Sequence, residues 1–341
     1  MSSTQRVVQL TVLFAPILFV SSANAQQAAG PNRVMSGIVQ SPDGTPVVGA
    51  KVTLVGGYEE PEDVGSATSA ADGSFSIELK STLLTQVRGV WAEADGRIGF
   101  ARTRGVTKPV TIEVLETVTY AGRIVDDAGE PIANAELVPF SSSLSMVTGM
   151  VPIPASQQRA WKTKTNVDGK FAIRQVPKAG VLSIKVATEG FGDPLVTFAL
   201  DRPLEIVLRR GSPVNGRLAW PDGAKRPDGG GQLGTVSIQK YDRFSEDGKP
   251  AASLKQAAYI CLYSHKQSIL ADGSVKFPAL PPGSYSLNVA FDLETPLGSL
   301  AQKPLVVNES EPTSFEINAS RAYRLSGRAV SSVDGKPVAN A

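Results

Sequence analysis

The stretch SGIVQSPDGTPVVGAKVTL, residues 36–54, decides the fold because the chain repeats it. It returns as AGRIVDDAGEPIANAELV at 121–138, more loosely as NGRLAWPDG at 215–223, and as SGRAVSSVDGKPVANA at 326–341. The anchoring glycines, Gly37, Gly122, Gly216 and Gly327, lie 85, 94 and 111 residues apart. These spacings suit small domains, whereas solenoid repeats have periods of about 20–50 residues. The chain is therefore predicted to be a tandem array of one kind of module.

A second phrase follows the first in three of the four copies: ADGSFSI at 71–77, VDGKFAI at 167–173 and ADGSVKF at 271–277. An Asp-Gly pair before alternating apolar residues is typical of a tight turn that enters a strand. Alternation is also clear in Tyr285, Leu287 and Val289, which indicates strands with one buried face. Outside the first 25 residues, no long segment shows helical periodicity instead.

The repeats predict an all-β protein made of tandem small antiparallel β-sandwich modules of the prealbumin or immunoglobulin-like kind. Three modules are expected to be complete, at residues 34–118, 119–212 and 213–322. Residues 323–341 are expected to be the truncated start of a fourth.

The two phrases, together with LPPGSYSLNV at 280–289, resemble the carboxypeptidase regulatory-like, or transthyretin-like, domain. They are also similar to the wider set of bacterial carbohydrate-binding-like and collagen-binding-B-type sandwiches. The resemblance covers nearly all of 34–341 and implies a β-sandwich fold. It implies an accessory role, since such domains mostly space or bind beside other domains. Module 1 departs from the pattern because it lacks the Pro-Gly turn.

Residues 1–25 have the pattern of a signal peptide. Arg6 precedes a nearly continuous apolar stretch at 7–20, and Ala23-Asn24-Ala25 is the small-x-small pattern of a cleavage site. The alternative is an uncleaved N-terminal anchor. Cleavage after Ala25 would export a protein to the periplasm, cell surface or medium, and no later segment is predicted to span a membrane.

Composition disfavours several classes of function. The chain has 34 Lys and Arg against 32 Asp and Glu, so its net charge of +2 argues against a nucleic-acid surface. One Cys and one His cannot by themselves complete a zinc site. No nucleotide-binding loop or serine-hydrolase elbow occurs, so neither a cofactor nor catalytic residues are predicted.

The segments between the two phrases differ most among the copies. We predict that they form variable loops that carry a binding site, in which exposed aromatic rings would contact a sugar or a peptide. The candidate ligand-binding residues are Trp161, Phe244, Tyr259 and Tyr263. The alternative is that Trp161 and Tyr263 are core or edge-strand residues, and the apolar run 146–153 could equally pack domains together.

Cys261 and His265 are a candidate nucleophile and base. Residues four apart on one strand share a face but lie roughly 13 Å apart, too far for a hydrogen bond, so no catalytic pair is predicted. Calcium at the acidic segment 59–63 or at 166–168 is an alternative to ordinary solvated loops, although neither segment has the usual ligand spacing.

Two functions follow from the sequence. The first is an exported, non-catalytic array of modules that binds carbohydrate or another surface protein, or acts as a spacer at the cell envelope. The second is the accessory N-terminal region of a longer enzyme or receptor whose working domain lies beyond residue 341.

Overall fold

The computed structural model describes residues 33–57, 60–80, 83, 86–103, 108–143, 149–221, 232–253, 256–292, 297–299, 304–309 and 311–321. These residues form three consecutive β-sandwiches with one short helix, which confirms the predicted fold class. The predicted start of a fourth module and the predicted signal peptide lie outside the described residues. Among the residues that are described, no helix has the length and apolarity required to cross a bilayer.

Module 1 is a sandwich of seven strands in two sheets. Its strands are β1 (Arg33–Gln40), β2 (Lys51–Gly56), β3 (Glu62–Thr68), β4 (Ser74–Leu79), β5 (Val87–Ala94), β6 (Arg97–Arg102) and β7 (Val110–Glu113). One sheet has the order β4-β1-β7, with β1 and β7 parallel, and the other has the order β3-β2-β5-β6. Although module 1 lacks a Pro-Gly turn, β5 and β6 form a hairpin through Asp95 and Gly96, which both have positive φ.

Module 2 repeats this arrangement and adds a helix. Its elements are β8 (Leu115–Asp126), β9 (Glu136–Ser143), β10 (Val151–Pro152), α1 (Ala155–Trp161), β11 (Thr163–Lys164), β12 (Lys170–Pro177), β13 (Val181–Ala187), β14 (Leu195–Ala199) and β15 (Leu204–Leu208). The strand β8 pairs with β12 on one side and, in parallel, with β15 on the other. The second sheet contains β9, β13 and β14, with β10 and β11 on the free side of β9.

Module 3 has the same central pairing, with β16 between β19 and the parallel strand β23. Its strands are β16 (Ser212–Ala219), β17 (Gly234–Phe244), β18 (Tyr259–Ile269), β19 (Ser274–Leu280), β20 (Gly283–Phe291), β21 (Leu297–Ser299), β22 (Leu305–Val307) and β23 (Thr313–Arg321). The segment predicted to form a variable loop here begins in β17, at 241–244, and ends in β18, at 259–263, and the described residues between them connect the two strands. The two strands pair along their full lengths, so only the ends of the predicted loop belong to a hairpin.

The repeated glycine of the first phrase has a packing reason. Gly37 lies opposite Phe75 in the β1–β4 pair, and Gly122 lies opposite Phe171 in the β8–β12 pair. A Cβ at Gly37 would come within 2.7 Å of the Phe75 ring, and one at Gly122 within 2.5 Å of the Phe171 ring. The ring therefore covers the glycine backbone, and a larger residue would displace it.

The Asp-Gly turns connect the two repeated phrases through a backbone hydrogen bond. Gly73 and Gly169 have φ of 76° and 73°, a conformation that glycine adopts without strain. The carbonyl oxygen of each accepts a 2.8 Å hydrogen bond from the first strand of its module, donated by Val39 N in module 1 and by Ile124 N in module 2. The same sequence phrase thus builds the same bond in each sandwich.

The sheets continue from one module into the next. Strand β6 of module 1 pairs with the start of β8, and β14 of module 2 pairs with β18 of module 3. Only Val114 separates β7 from β8, and residues 209–211 separate β15 from β16. These short connections and shared sheets leave each module held to its neighbour by backbone hydrogen bonds.

Candidate functional site

The four predicted ligand-binding aromatic residues are buried at the junctions between modules. Trp161 is 1% exposed, Phe244 is 2% exposed, and Tyr259 and Tyr263 are fully buried. Burial leaves no ring face for a sugar or a peptide to stack on, which corrects the expectation of exposed aromatic rings. The alternative interpretation, that Trp161 and Tyr263 are core or edge-strand residues, agrees with their burial.

At the first junction, Trp91 of β5 lies against module 2. Its indole Nε1 donates a 2.7 Å hydrogen bond to the carbonyl oxygen of Pro152. Its ring centroid is 4.7 Å from that of Phe100 and 6.1 Å, edge-on, from that of Trp161. Val151 is buried in the same cluster. The described end of the apolar run at 146–153 therefore packs two modules together, whereas residues 146–148 lie outside the described residues.

Polar contacts surround this aromatic cluster. Ala155 N, at the start of α1, donates a 3.2 Å hydrogen bond to the Asp63 carboxylate of β3. The side-chain amide of Gln157 lies between the Glu93 carboxylate, 3.0 Å from its nitrogen, and the indole N–H of Trp161. Burial, reinforced by the nearby charge of Asp63, raises the pKa of Glu93, although Lys51 opposes the shift. The helix α1, which has no counterpart in the described parts of modules 1 and 3, is thus fixed to module 1.

At the second junction, the outer part of the β17–β18 hairpin covers module 2. The Tyr259 hydroxyl oxygen accepts a 2.9 Å hydrogen bond from Val207 N of β15. The Phe244 and Tyr259 rings stack with centroids 5.0 Å apart. His265 Nε2 lies 2.9 Å from the carbonyl oxygen of Gly192 in module 2. The long hairpin therefore packs directly on the neighbouring module.

A half-buried ion pair lies on strand β17 of this hairpin. Lys240 Nζ is 2.9 Å from a carboxylate oxygen of Asp242 and also donates to the carbonyl oxygen of Pro282. The same ammonium group lies 5.6 Å from the centre of the Tyr263 ring and 5.5 Å from that of Tyr285. A buried charge needs such compensation, because an unpaired one would cost several kcal/mol. Tyr263 therefore has a structural role next to the ion pair.

Cys261 and His265 are not arranged as a catalytic pair. Both lie on β18, but Cys261 is opposite Asp242 and His265 is opposite Ile238, with the residue pair Lys240–Tyr263 between them. Burial raises the pKa of the Cys261 thiol, whereas a nucleophilic cysteine requires a lowered pKa. The His265 ring instead contacts module 2.

No metal centre is evident in the described part of the chain, where no group of three or more His, Cys, Asp or Glu residues could hold an ion. Of the predicted acidic segment, Glu62 and Asp63 lie in β3, and Glu59 falls outside the described residues. Asn166 is used in the turn, where its side-chain oxygen accepts hydrogen bonds from the backbone of Asp168 and Lys170.

Sequence reasoning missed a buried hydroxyl in each of the first two modules. Ser69 Oγ accepts from Ala50 N at 2.8 Å and donates to the carbonyl oxygen of Val47 at 2.6 Å. Thr165 does the same with Ala135 and Ile132, at 2.9 and 2.7 Å. In modules 1 and 2, a hydroxyl residue three positions before the Asp-Gly turn could have indicated this bridge from the sequence. Module 3 has Ile269 at that position.

Comparisons with known proteins identify no family. No protein-family model matches the chain, and no curated protein matches it. The resemblance to the carboxypeptidase regulatory-like domain therefore stays a prediction.

Several solved structures are similar to the chain. They include the Bacillus anthracis TIE protein, at 15% identity over 85% of this chain and with a TM-score of 0.22. They also include the shaft pilin SpaA of Lactobacillus rhamnosus GG, at 10% identity over 53% of this chain and 98% of that one, TM-score 0.22. The minor pilin GBS52 of Streptococcus agalactiae matches at 13% identity over 62% of this chain and 99% of that one, TM-score 0.27. The chain spans 51% of the TIE protein chain. Likeness at these TM-scores says nothing about what this chain binds or does.

Proposed function

We propose that the protein is an exported, non-catalytic spacer whose packed β-sandwich modules hold attached parts at a fixed separation. The observation that carries this proposal is the construction of the two junctions. Both combine strand pairing across modules with buried aromatic side chains and short connections. Modules joined only by a flexible linker would move relative to one another by default, whereas a large apolar interface restricts that motion.

The core supports this proposal. The buried residues of modules 2 and 3 form one continuous apolar cluster, which also includes Val55, Trp91, Ile98 and Phe100 of module 1. A separate cluster fills the space between the sheets of module 1. An array selected only for independent binding modules would need no core that runs through its junctions.

Loosening the junctions tests the spacer function. The full chain is placed between a surface anchor and a fluorescent epitope on cells, and the height of the epitope above the membrane is measured. A matched variant carries Gly-Ser insertions between Val114 and Leu115 and between Arg210 and Gly211. We expect a lower mean height and a wider distribution for the loosened variant. Equal heights and widths would contradict the spacer function.

Export is a separate part of the proposal, supported by the pattern of residues 1–25. N-terminal sequencing of the protein from fractionated cells should show a mature chain that begins at Gln26. A chain that retains Met1 or Ser2 at its N-terminus would contradict cleavage of the signal peptide after Ala25.

A further inference from the structure

A groove on module 2 is lined by four cationic residues and by no acidic residue. It has a volume of about 540 Å³ and lies between the segment that ends α1 and the edge strand β12. Its cationic residues are Lys162, Lys164, Lys170 and Arg174, and we call it the basic groove. The chain as a whole is nearly neutral, with 34 cationic against 32 acidic residues, so the basic groove is a local concentration of charge.

Ion pairs with Glu136 offset only part of this charge. Glu136 of β9 pairs with Lys162 at 2.7 Å and with Lys164 at 3.9 Å. Among the described residues, no carboxylate forms an ion pair with Lys170 or Arg174. These two side chains are exposed on β12 and remain available to an anionic ligand.

The sandwich fold does not require these cations. The register of β4 with β1 matches that of β12 with β8 as far as Ile173, so Ser74 occupies in module 1 the position of Lys170. Alignment of 71–78 with 167–174 matches Glu78 with Arg174, which lies at the bulge of β12. Module 1 thus has the opposite charge at one of these positions. Lys164 of β11 occupies the position of Thr68 in β3, because their partners Glu136 and Lys51 match. Lys162 follows α1, a helix with no counterpart in the described part of module 1. At the positions of Lys164, Lys170 and Arg174, module 1 therefore has an uncharged or an acidic residue.

The edge strand is poorly suited to binding a peptide as an added strand. A β-bulge shifts its register between Ile173 and Val176, and Gln175 adopts a φ of +57°. A bulge interrupts the regular row of backbone donors and acceptors that an added strand would need. Instead, it places Arg174 and Gln175 consecutively on the exposed side. The groove is thus shaped for contact through side chains.

We propose that the basic groove binds an anionic polysaccharide. The Cα atoms of Lys170 and Arg174, four residues apart on a strand, are separated by roughly 13 Å, so the positive charges are spread along the groove and suit a ligand with repeated negative charges. Lys162 and Lys164 extend the positive charge to the other wall of the groove. The inference is independent of the spacer function, since a stiff or a loose array could present the same groove.

The test is calorimetric titration of the purified chain with polygalacturonate, with neutral dextran and poly-L-glutamate as comparison polymers. The main variant, Lys170→Ser with Arg174→Glu, copies the residues that module 1 carries at these positions. A second variant, Lys162→Ala with Lys164→Ala, removes the two lysines on the other wall of the groove. The matched control, Lys266→Ser with Lys276→Ser, removes two exposed cations from module 3. Circular dichroism confirms that each variant is folded.

We expect polygalacturonate to bind, with affinity that falls as salt rises. Each groove variant should bind on the order of tenfold more weakly, and the control should bind like the unmodified chain. Equal binding of dextran, tighter binding of poly-L-glutamate, an equal loss in the control or no binding at all would each overturn the proposal.

Discussion

At the residue scale, the buried hydroxyls of Ser69 and Thr165 show how few atoms connect the two repeated phrases. Each hydroxyl oxygen accepts one backbone hydrogen bond and donates another inside its sandwich. A buried backbone donor left without a partner costs more free energy than the average hydrogen bond contributes. These two residues should therefore matter more for stability than their small size implies.

Replacement of Thr165 by Val should lower the free energy of unfolding by about 1–3 kcal/mol, because the buried Ala135 N loses its hydrogen-bond partner. Chemical denaturation of the full chain measures the change. Thr165→Ser keeps the hydroxyl and is the matched control. A Val variant as stable as the Ser variant would show that the hydrogen bonds are dispensable.

The stability of the protein should depend on pH through Glu93. Burial raises its pKa in the folded protein, so ionisation of this carboxyl opposes folding and stability is lost as the pH rises through its pKa. Glu93→Gln should therefore raise the melting temperature at pH 7, and the advantage should disappear below roughly pH 4. The exposed Glu130→Gln is the control. An advantage of the same size at both pH values would point to a cause other than ionisation.

At the element scale, α1 is the element that distinguishes module 2, and Trp161 anchors it against Trp91. Trp161→Ala should destabilise the protein by about 3–5 kcal/mol, because it leaves a cavity in the first junction. Arg159→Ala, on the exposed side of the same helix, should have little effect. Thermal unfolding measures the melting temperatures of the two variants. Equal melting temperatures would mean that the helix is not anchored through Trp161.

The elements also show what the sequence could predict. The Asp-Gly turns and the alternation of apolar residues act locally, so the strands around Gly73 and Gly169 and the sandwich fold follow from them. The burial of Trp161, Phe244, Tyr259 and Tyr263 depends on contacts with a neighbouring module, which no local pattern encodes. An aromatic residue in a variable segment has the same sequence signature whether it faces solvent or a second domain.

The basic groove was missed for a related reason. Its four cations are spread over two segments, 162–164 and 170–174, and are mixed with ordinary polar residues. Only the pairing of β11 with β9 and of β12 with β8 places the two segments side by side. Comparison of 167–174 with 71–78 contained the available signal, a change from Ser and Glu to Lys and Arg at matched positions.

At the scale of the whole molecule, we infer that the three modules move as one body. Sheets continue through both junctions, and an apolar core joins all three modules. Bending at a junction would expose buried aromatic side chains and break strand pairing, at a cost of several kcal/mol.

The most direct test is the distribution of distances between spin labels on Ser76→Cys in module 1 and Lys276→Cys in module 3, measured by pulsed electron paramagnetic resonance. Both sites are exposed, and the native Cys261 is fully buried. We predict one narrow distribution, which becomes broad when Gly and Ser are inserted between Val114 and Leu115. A broad distribution in the chain without the insertion would contradict the claim that the modules form one body.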